Sequence, residues 1–329
     1  MEKQMIVIEP FNEKHISDAA NLFTSSYTRF REQIGYLPPK YEQAETIAHL
    51  LQDMIERQTG VAAISGGKLV GYLTGYAHIP NFKGISPGVY VPEWAHAASE
   101  IPDRKRILQS MYDAIAREWV SQGCFTHAIT FFTPDMAQRD LLYWNGFGLL
   151  VVDAIRSTAQ DEQAHQIDPT IVIRHATERD LGGLLRLDND LSTYLSQSPV
   201  FLYHGESDEQ ETAARFLGEN VISIVAEKND RILACIRGTD QKQDSCTIVQ
   251  DESIMGINFG FTDPGIRGTG VGAKILDKIL EWGRSKGKTA CAVDFESANV
   301  LGRSFWLHHF KAVCFSAIRF VDPKVAQDG

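Results

Sequence analysis

The residues with the clearest chemical potential form the run Arg267-Gly268-Thr269-Gly270-Val271-Gly272. Glycine lets the backbone approach an anion closely, and successive amide N–H groups can converge on one phosphate. The run follows a strand-like segment, Met255 to Thr262, and opens a helical one from Gly270 to about Ser285. That context gives a glycine-rich motif its weight. A helix N-terminus adds a positive charge of roughly half a unit, and Arg267 adds a full cation at the mouth. Behind the loop, Val271, Ile275, Ile279 and Trp282 recur at helical spacing, a stripe that docks the helix on a sheet. The spacing fits neither the Gly-x-Gly-x-x-Gly of a dinucleotide fold nor the Gly-Lys-Ser/Thr of a Walker loop, which disfavours a dinucleotide oxidoreductase. The expected ligand is a pyrophosphate.

The elements that must position this loop occur in a similar order twice. In the first half, a strand at 5–10 precedes helices at 19–27 and 44–57, then strands at 61–65 and 69–77 about the turn Gly66-Gly67. A less regular stretch near Val89 to Trp94 leads to a helix at 104–122, a strand at 127–132, a short helix at 136–145 and a strand at 149–155. The second half repeats the order with a strand at 170–174, helices at 181–195 and 208–217, and strands at 221–227, 232–238 and 255–262. The glycine loop and its helix follow, then a strand at 290–295, a helix at 300–309 and a closing strand at 313–320. The expectation is a mixed α/β fold of two tandem domains, 1–157 and 170–329, joined by a polar linker at 158–169. Each domain is a twisted mixed sheet flanked by helices.

At this point the loop and its setting resemble a known family. Arg-Gly-Thr-Gly-Val-Gly is similar to the R/Q-x-x-G-x-G/A signature of the GNAT superfamily of N-acetyltransferases, and Gly260-Phe261-Thr262-Asp263-Pro264 resembles the end of that family's fourth strand. The repeated order of elements matches the family fold in each half. The resemblance implies acetyl-CoA as cosubstrate, held at its pyrophosphate by Arg267, Gly268, Thr269, Gly270, Val271 and Gly272. Gly260, Phe261 and Thr262 would line the pantetheine arm through backbone groups, where the strand splays from its neighbour.

Asn299 to Trp306 resembles the family's Asn-x6-Tyr segment, in which the Asn contacts the cofactor and the Tyr protonates the leaving thiolate. Here Trp306 or Phe305 fills the Tyr position, and neither carries a phenol, so Trp306 reads as a packing wall beside the cofactor. Amine acylation also needs a group that accepts a proton. Strand 255–262 contains no carboxylate; Asp294 stands where some relatives carry a Glu base, with Asp251 and Glu252 as weaker candidates. Tyr203 and His204, in the loop between the first two helices of the second half, read as solvated loop residues, with lining of the substrate pocket as the alternative. In the first half, Val89 to Ala98 replaces the glycine motif with bulky side chains, so that copy is expected not to bind CoA. Leu142-Tyr143-Trp144-Asn145-Gly146-Phe147 resembles the family's helix-four ending, and Cys124 and Tyr143 read as core residues.

Composition narrows the remaining options. The chain carries a net charge of -10 with no basic stripe, which argues against nucleic acid. No apolar run reaches the ~18 to 20 residues of a membrane span. The start has no signal-peptide pattern, and the 5 cysteines are scattered, suggesting reduced thiols in the cytoplasm. Adjacent His308 and His309 lack a third ligand in the sequence nearby, so no metal is expected. The leading function is transfer of an acetyl group to a primary amine on a small molecule or peptide, in a ternary complex. The alternative is a non-catalytic acyl-CoA sensor or scaffold. Oligomeric state stays open, a homo-oligomer included.

Overall fold

The computed structural model describes residues 5–55, 60–84, 86–159, 166–203 and 205–326. The chain divides by packing into two compact units. Unit 1 comprises Met1–Val152, Cys246–Ile248 and Ala312–Gly329, and unit 2 comprises Asp153–Ser245 and Val249–Lys311.

The N-terminal segment runs β1 (Ile6–Pro10), α1 (Ile16–Ile34), α2 (Ala44–Ile55), β2 (Gly60–Ser65), β3 (Lys68–Thr74), β4 (Tyr76–Ile79), β5 (Gly88–Val91) and β6 (His96–Ala98). It continues through α3 (Arg104–Ser121), β7 (Thr126–Phe132), α4 (Met136–Trp144) and β8 (Gly148–Ser157). Helix α1 forms because Ala19, Ala20, Phe23, Tyr27, Phe30 and Ile34 fall on one face at helical spacing, and all six are buried. The β2–β3 hairpin closes through Gly66 and Gly67 with φ of 56° and 74°, a left-handed pair that glycine adopts at low cost. Strands β1, β2, β3 and β6 form one sheet of unit 1. Strand β5 pairs antiparallel with β4 and parallel with β7.

The second half follows with β9 (Val172–His175), α5 (Leu181–Ser196), α6 (Glu209–Leu217), β10 (Val221–Lys228), β11 (Arg231–Thr239) and β12 (Ile254–Thr262). Then come α7 (Val271–Ser285), β13 (Ala290–Glu296), α8 (Val300–His309) and β14 (Lys311–Phe320). The β10–β11 hairpin repeats the first one in kind: Asn229 and Asp230 take φ of 52° and 59°. In unit 2 the strand order is β13-β12-β11-β10-β9. Leu184 and Leu187 of α5 and Phe216 of α6 pack on Val225, Cys235, Phe259 and Phe261. Helix α7 covers the sheet with Val271, Ile275, Leu276, Ile279 and Leu280 buried. Gly283 lets α7 approach β12, because a Cβ there would overlap the Met255 Sδ. Trp282, expected in the α7 stripe, is half-buried beneath the Lys286 ammonium.

Three features differ from the sequence reading. The long strand expected at 69–77 is interrupted at Gly75, giving β3 and β4, and residues 96–98 add the strand β6 against β3. The closing strand β14 belongs to unit 1 from Ala312 onward, where it pairs antiparallel with β7 from Cys314↔Phe132 to Phe320↔Thr126. Tyr143 is 68% exposed rather than in the core, because α4 turns Leu141 and Leu142 inward and its last two residues outward. Cys124 is buried as expected. The 5 cysteines are all buried and none forms a disulfide. Among the described residues no helix is long and apolar enough to cross a membrane. Of the linker expected at 158–169, residues 160–165 lie outside the described residues, as does His204.

Candidate active site

Strands β12 and β13 begin as parallel neighbours, paired from Ile254↔Ala290 to Ile257↔Val293. Pairing stops there, although β12 continues to Thr262 and β13 to Glu296. On its other edge β12 stays hydrogen-bonded to β11 as far as Ala234↔Thr262. The register shifts between Arg237 and Gly238, leaving Asn258 as an extra residue on β12. A bulge bends and twists its strand, and this one coincides with the point where β12 leaves β13. It is braced from below. Arg237 Nη2 donates to the Asn258 carbonyl at 3.2 Å, and the Lys242 ammonium donates to Asn258 Oδ1 at 2.8 Å. One edge of β12, from Asn258 to Thr262, therefore faces an open wedge.

At the end of that wedge the glycine loop turns into α7. Gly268 and Gly270 adopt φ of 76° and 83°, the left-handed region, and Gly270 is the N-cap of α7. The loop is held by its own contacts: Thr269 Oγ1 donates to the Ile266 carbonyl at 2.7 Å, and Arg267 Nε to the Thr262 carbonyl at 2.9 Å. The amides of Gly268 through Ala273 find no acceptor among the described residues. They combine with the positive end of the 15-residue helix to make a cradle suited to a diphosphate. The Arg267 guanidinium lies over the rings of Phe261 and Tyr194, at 5.4 and 5.7 Å from their centroids.

The cradle opens into a cavity of about 590 Å³. Gly260, Phe261, Thr262, Arg267, Gly268, Gly270, Val271, Gly272, Asn299 and Trp306 all line it. Thr269 does not; it is exposed and tightens the loop from outside. A Cβ on Gly260 would stand 2.8 Å from Trp306 Cζ2, so the bare backbone at 260 is what lets the indole lie against β12. Phe305 sits 3.3 Å from the corresponding point at Gly272, closer to the loop. Of the two aromatics offered for the missing tyrosine, Trp306 lies beside the wedge at Gly260 and Phe305 beside the glycine loop at Gly272. Asn299 caps α8, its Oδ1 accepting from the Gly302 amide at 2.9 Å. His308 and His309 line the outer part of the same cavity. Among the described residues no cluster of three or more His, Cys, Asp or Glu could hold a metal.

A second cavity, of about 710 Å³, lies on the other side of the wedge. Leu191, Gly260, Asn299 and Trp306 line both cavities and mark their junction. Asp294 faces this second space, one residue past the last β12–β13 pair, with Lys242 Nζ at 2.6 Å from its Oδ1. Asp251 and Glu252 precede β12 at its far end and line neither cavity. Tyr203 is 84% exposed and also lines neither.

The sequence reading missed Tyr194 of α5. Its hydroxyl is 3.2 Å from Asn299 Oδ1, and it lines the cofactor-side cavity. Helical spacing offered a faint signal: Leu184, Leu187 and Leu191 define the packed face, and Tyr194 continues that row toward the loop. Also missed were Glu296, Glu206 and Glu211, which line the second cavity with Asp294.

Unit 1 is built differently at the matching place. The chain leaving β5 carries Trp94 and Ala95, both buried, and then adds β6 to β3. Arg104, at the start of α3, is buried in a bidentate pair with Asp135 at 2.7 and 2.6 Å. The space between α3, α4 and the sheet is a residual void of about 10 Å³ lined by Leu73, His96, Leu108, Met111 and neighbours. That is room for about one water.

Residues 188–310, which contain the wedge, the loop and both cavities, match the acetyltransferase (GNAT) family. The chain therefore carries a GNAT domain, in a fold made of two GNAT-like halves. Across nearly its full length it is similar to a GCN5-related N-acetyltransferase from Sphaerobacter thermophilus, with TM-score 0.56, 11% identity, and 96% of this chain and 95% of that one covered. It is also similar to a glucosamine N-acetyltransferase region of a fungal multi-domain GH3 β-N-acetylglucosaminidase (TM-score 0.51, 13% identity), covering 97% of this chain and 38% of that one. At these identities the likeness carries the fold alone. No curated protein sequence matches the chain. GNAT domains generally bind acyl-CoA, and membership implies acyl-CoA-dependent acyl transfer.

Proposed function

We propose that unit 2 transfers an acetyl group from acetyl-CoA to a primary amine by direct attack within a ternary complex. The observation that carries this reading is the wedge between β12 and β13, which joins a cradle of unengaged amides to a second, carboxylate-lined cavity. Gly268 to Gly272 would hold the pyrophosphate, with Arg267 at the mouth. The free backbone edge of Gly260, Phe261 and Thr262 would pair with the pantetheine arm, and Asn299 and Trp306 would flank its end. The thioester would then lie at the junction shared by Leu191, Gly260, Asn299 and Trp306. Holding the two reactants there supplies most of the acceleration through proximity, and a backbone N–H of the bent strand polarises the carbonyl.

Two proton transfers complete the reaction. The amine attacks as the neutral base, so its proton must leave through the second cavity, where Asp294 is the candidate acceptor and Lys242 fixes its orientation. The departing thiolate takes a proton in turn. Helix α8 offers no phenol, but Tyr194 does, in the loop-side cavity with its hydroxyl hydrogen-bonded to Asn299 of the junction. The rival reading, a sensor without turnover, rests on the missing phenol and on the uncertain base; Tyr194 answers the first point and leaves the second to Asp294.

Under this reading the first half, residues 1–157, shapes or supports the protein without binding CoA, and 170–329 carries the site. The filled space in unit 1 favours that division of labour. The cysteine usage suits a cytoplasmic setting. Calorimetry with acetyl-CoA and CoA tests the cradle, and thiol release in the presence of an amine panel tests turnover. CoA binding without thiol release would return the sensor reading; no CoA binding would end both.

A further inference from the structure

We propose that the second cavity selects an amine that also carries a carboxylate, such as an amino acid, and that Arg237 is the carboxylate's partner. This rests on the acyl-transfer reading and names its acceptor class.

The argument starts from a charge imbalance. Three cations line the cavity, Arg215, Arg237 and Lys242. Two are already matched: Arg215 lies 2.8 Å from Asp188, and Lys242 lies 2.6 Å from Asp294. Arg237 has no carboxylate partner among the described residues. It is only 8% exposed, and its Nε is buried without an acceptor. Its one hydrogen bond goes from Nη2 to the Asn258 carbonyl, and its plane rests on the Phe216 ring at 5.1 Å from the centroid. Taking a guanidinium out of water with most of its donors unused is costly unless a partner compensates. Burial and the neighbouring Arg215 charge pull its pKa down to about 10, against the opposing pull of the Asp188 charge.

The nearest internal carboxylate does not fill the role. Asp188 is turned to Ser207 Oγ at 2.6 Å and to Arg215. A planar, fork-shaped donor set is matched by a carboxylate in bidentate geometry. Phosphate is disfavoured by the same cavity, because Glu206, Glu211, Asp294 and Glu296 also line it and repel a dianion. Those carboxylates suit the other end of the molecule, the protonated amine as it arrives. Arg237 and Gly260 line the same cavity, so a single small molecule seated there can present a carboxylate to Arg237 and an amine to the junction.

The test uses the CoA-loaded protein and matched acceptors: histidine with histamine, lysine with cadaverine, phenylalanine with phenethylamine, and β-alanine with ethylamine. Binding is read by calorimetry and turnover by thiol release. For at least one pair the carboxylated member should bind ~10- to 100-fold more tightly than its decarboxylated partner, the range for a charge-assisted pair. In Arg237→Gln that gap should close toward equality, with most of the turnover loss in KM; Arg237→Lys should retain part of it. Unchanged CoA affinity shows that each variant is folded. A gap that persists in a folded Arg237→Gln protein, equal binding within every wild-type pair, or failure of every carboxylated member to bind would overturn the assignment. So would tighter binding of phosphoethanolamine than of β-alanine. Because calorimetry reads the gap without turnover, a protein that binds amino acids selectively but releases no thiol fails the acyl-transfer reading while keeping the carboxylate site.

Discussion

Replacing Gly270 by glutamate separates the two roles of that glycine, conformational and electrostatic. The residue sits at φ 83° as the N-cap of α7, so any side chain there is held in the left-handed region. That strain costs about 1–2 kcal/mol, which lowers the melting temperature by roughly 2–8 °C in a unit of this size. Gly270→Ala should show this loss and little more. Glutamate adds a negative charge to a cradle whose value lies in amides that have no other acceptor. A unit charge about 4 Å from one phosphate charge is opposed by ~1 kcal/mol at the dielectric of water and ~4 kcal/mol at an effective value of 20. The affinity for CoA should therefore fall by roughly 5- to 1,000-fold beyond the loss seen in Gly270→Ala. The difference between the two variants should shrink as salt is raised, since the cradle is exposed at the mouth and screening acts there. Calorimetric titration with CoA at low and high salt, beside a thermal melt of each variant, measures both parts. If Gly270→Glu binds CoA as well as Gly270→Ala does, phosphates do not lie at this loop and the reasoning fails.

Three further outcomes follow from the site and from unit 1. Tyr194→Phe should lower kcat by ~10²- to 10⁴-fold with CoA affinity nearly unchanged, because the ring under Arg267 is retained; a kcat within threefold of wild type would remove Tyr194 as the proton donor. Asp294→Asn should slow turnover most below the pKa of the amine, and an unaltered pH–rate profile would reject Asp294 as the base. Acid should weaken unit 1 through His127, which is 1% exposed, near Arg319, with Nδ1 3.0 Å from the Tyr112 hydroxyl and Nε2 3.1 Å from the Cys124 carbonyl. Burial pulls its pKa down to about 4, against ~6.5 when unfolded. The unfolded chain therefore binds the proton first. The contribution is complete above pH ~6.5 and is lost as pH falls toward 4, up to roughly 3 kcal/mol. Urea melts of the wild type and His127→Gln between pH 7 and 4 should show this slope only in the former.

Much of the site was legible because its chemistry resides in backbone. A loop whose amides are to face an anion needs residues that free the backbone, and Gly268, Gly270 and Gly272 are of that kind. The sequence marks Gly260 only as a backbone contact; that its missing side chain admits Trp306 appears in the tertiary structure. Most elements were legible from hydrophobic period and turn residues, the paired hairpins at Gly66-Gly67 and Asn229-Asp230 above all. These are local signals, written within a few residues of the feature they specify.

The rest depended on residues far apart in sequence meeting in space. Tyr194 and Asn299 are separated by 105 positions, yet their side chains touch at 3.2 Å. Helical spacing in α5 puts that tyrosine in the row of Leu184, Leu187 and Leu191, which marks it only as a packing residue. Lys242 and Asp294 become a pair, and Arg237 a cation without one, only in the folded protein, where β12 bulges at Asn258 and its pairing with β13 ends at Ile257↔Val293. The placement of β14 in unit 1 is of the same kind, because an apolar strand pattern does not say which edge it will join. The sequence alone thus located the glycine loop and the helix it opens, both in the second half of the chain. Tertiary structure decided what surrounds the reacting end, since pairing, burial and charge balance there are sums over several elements rather than properties of any one.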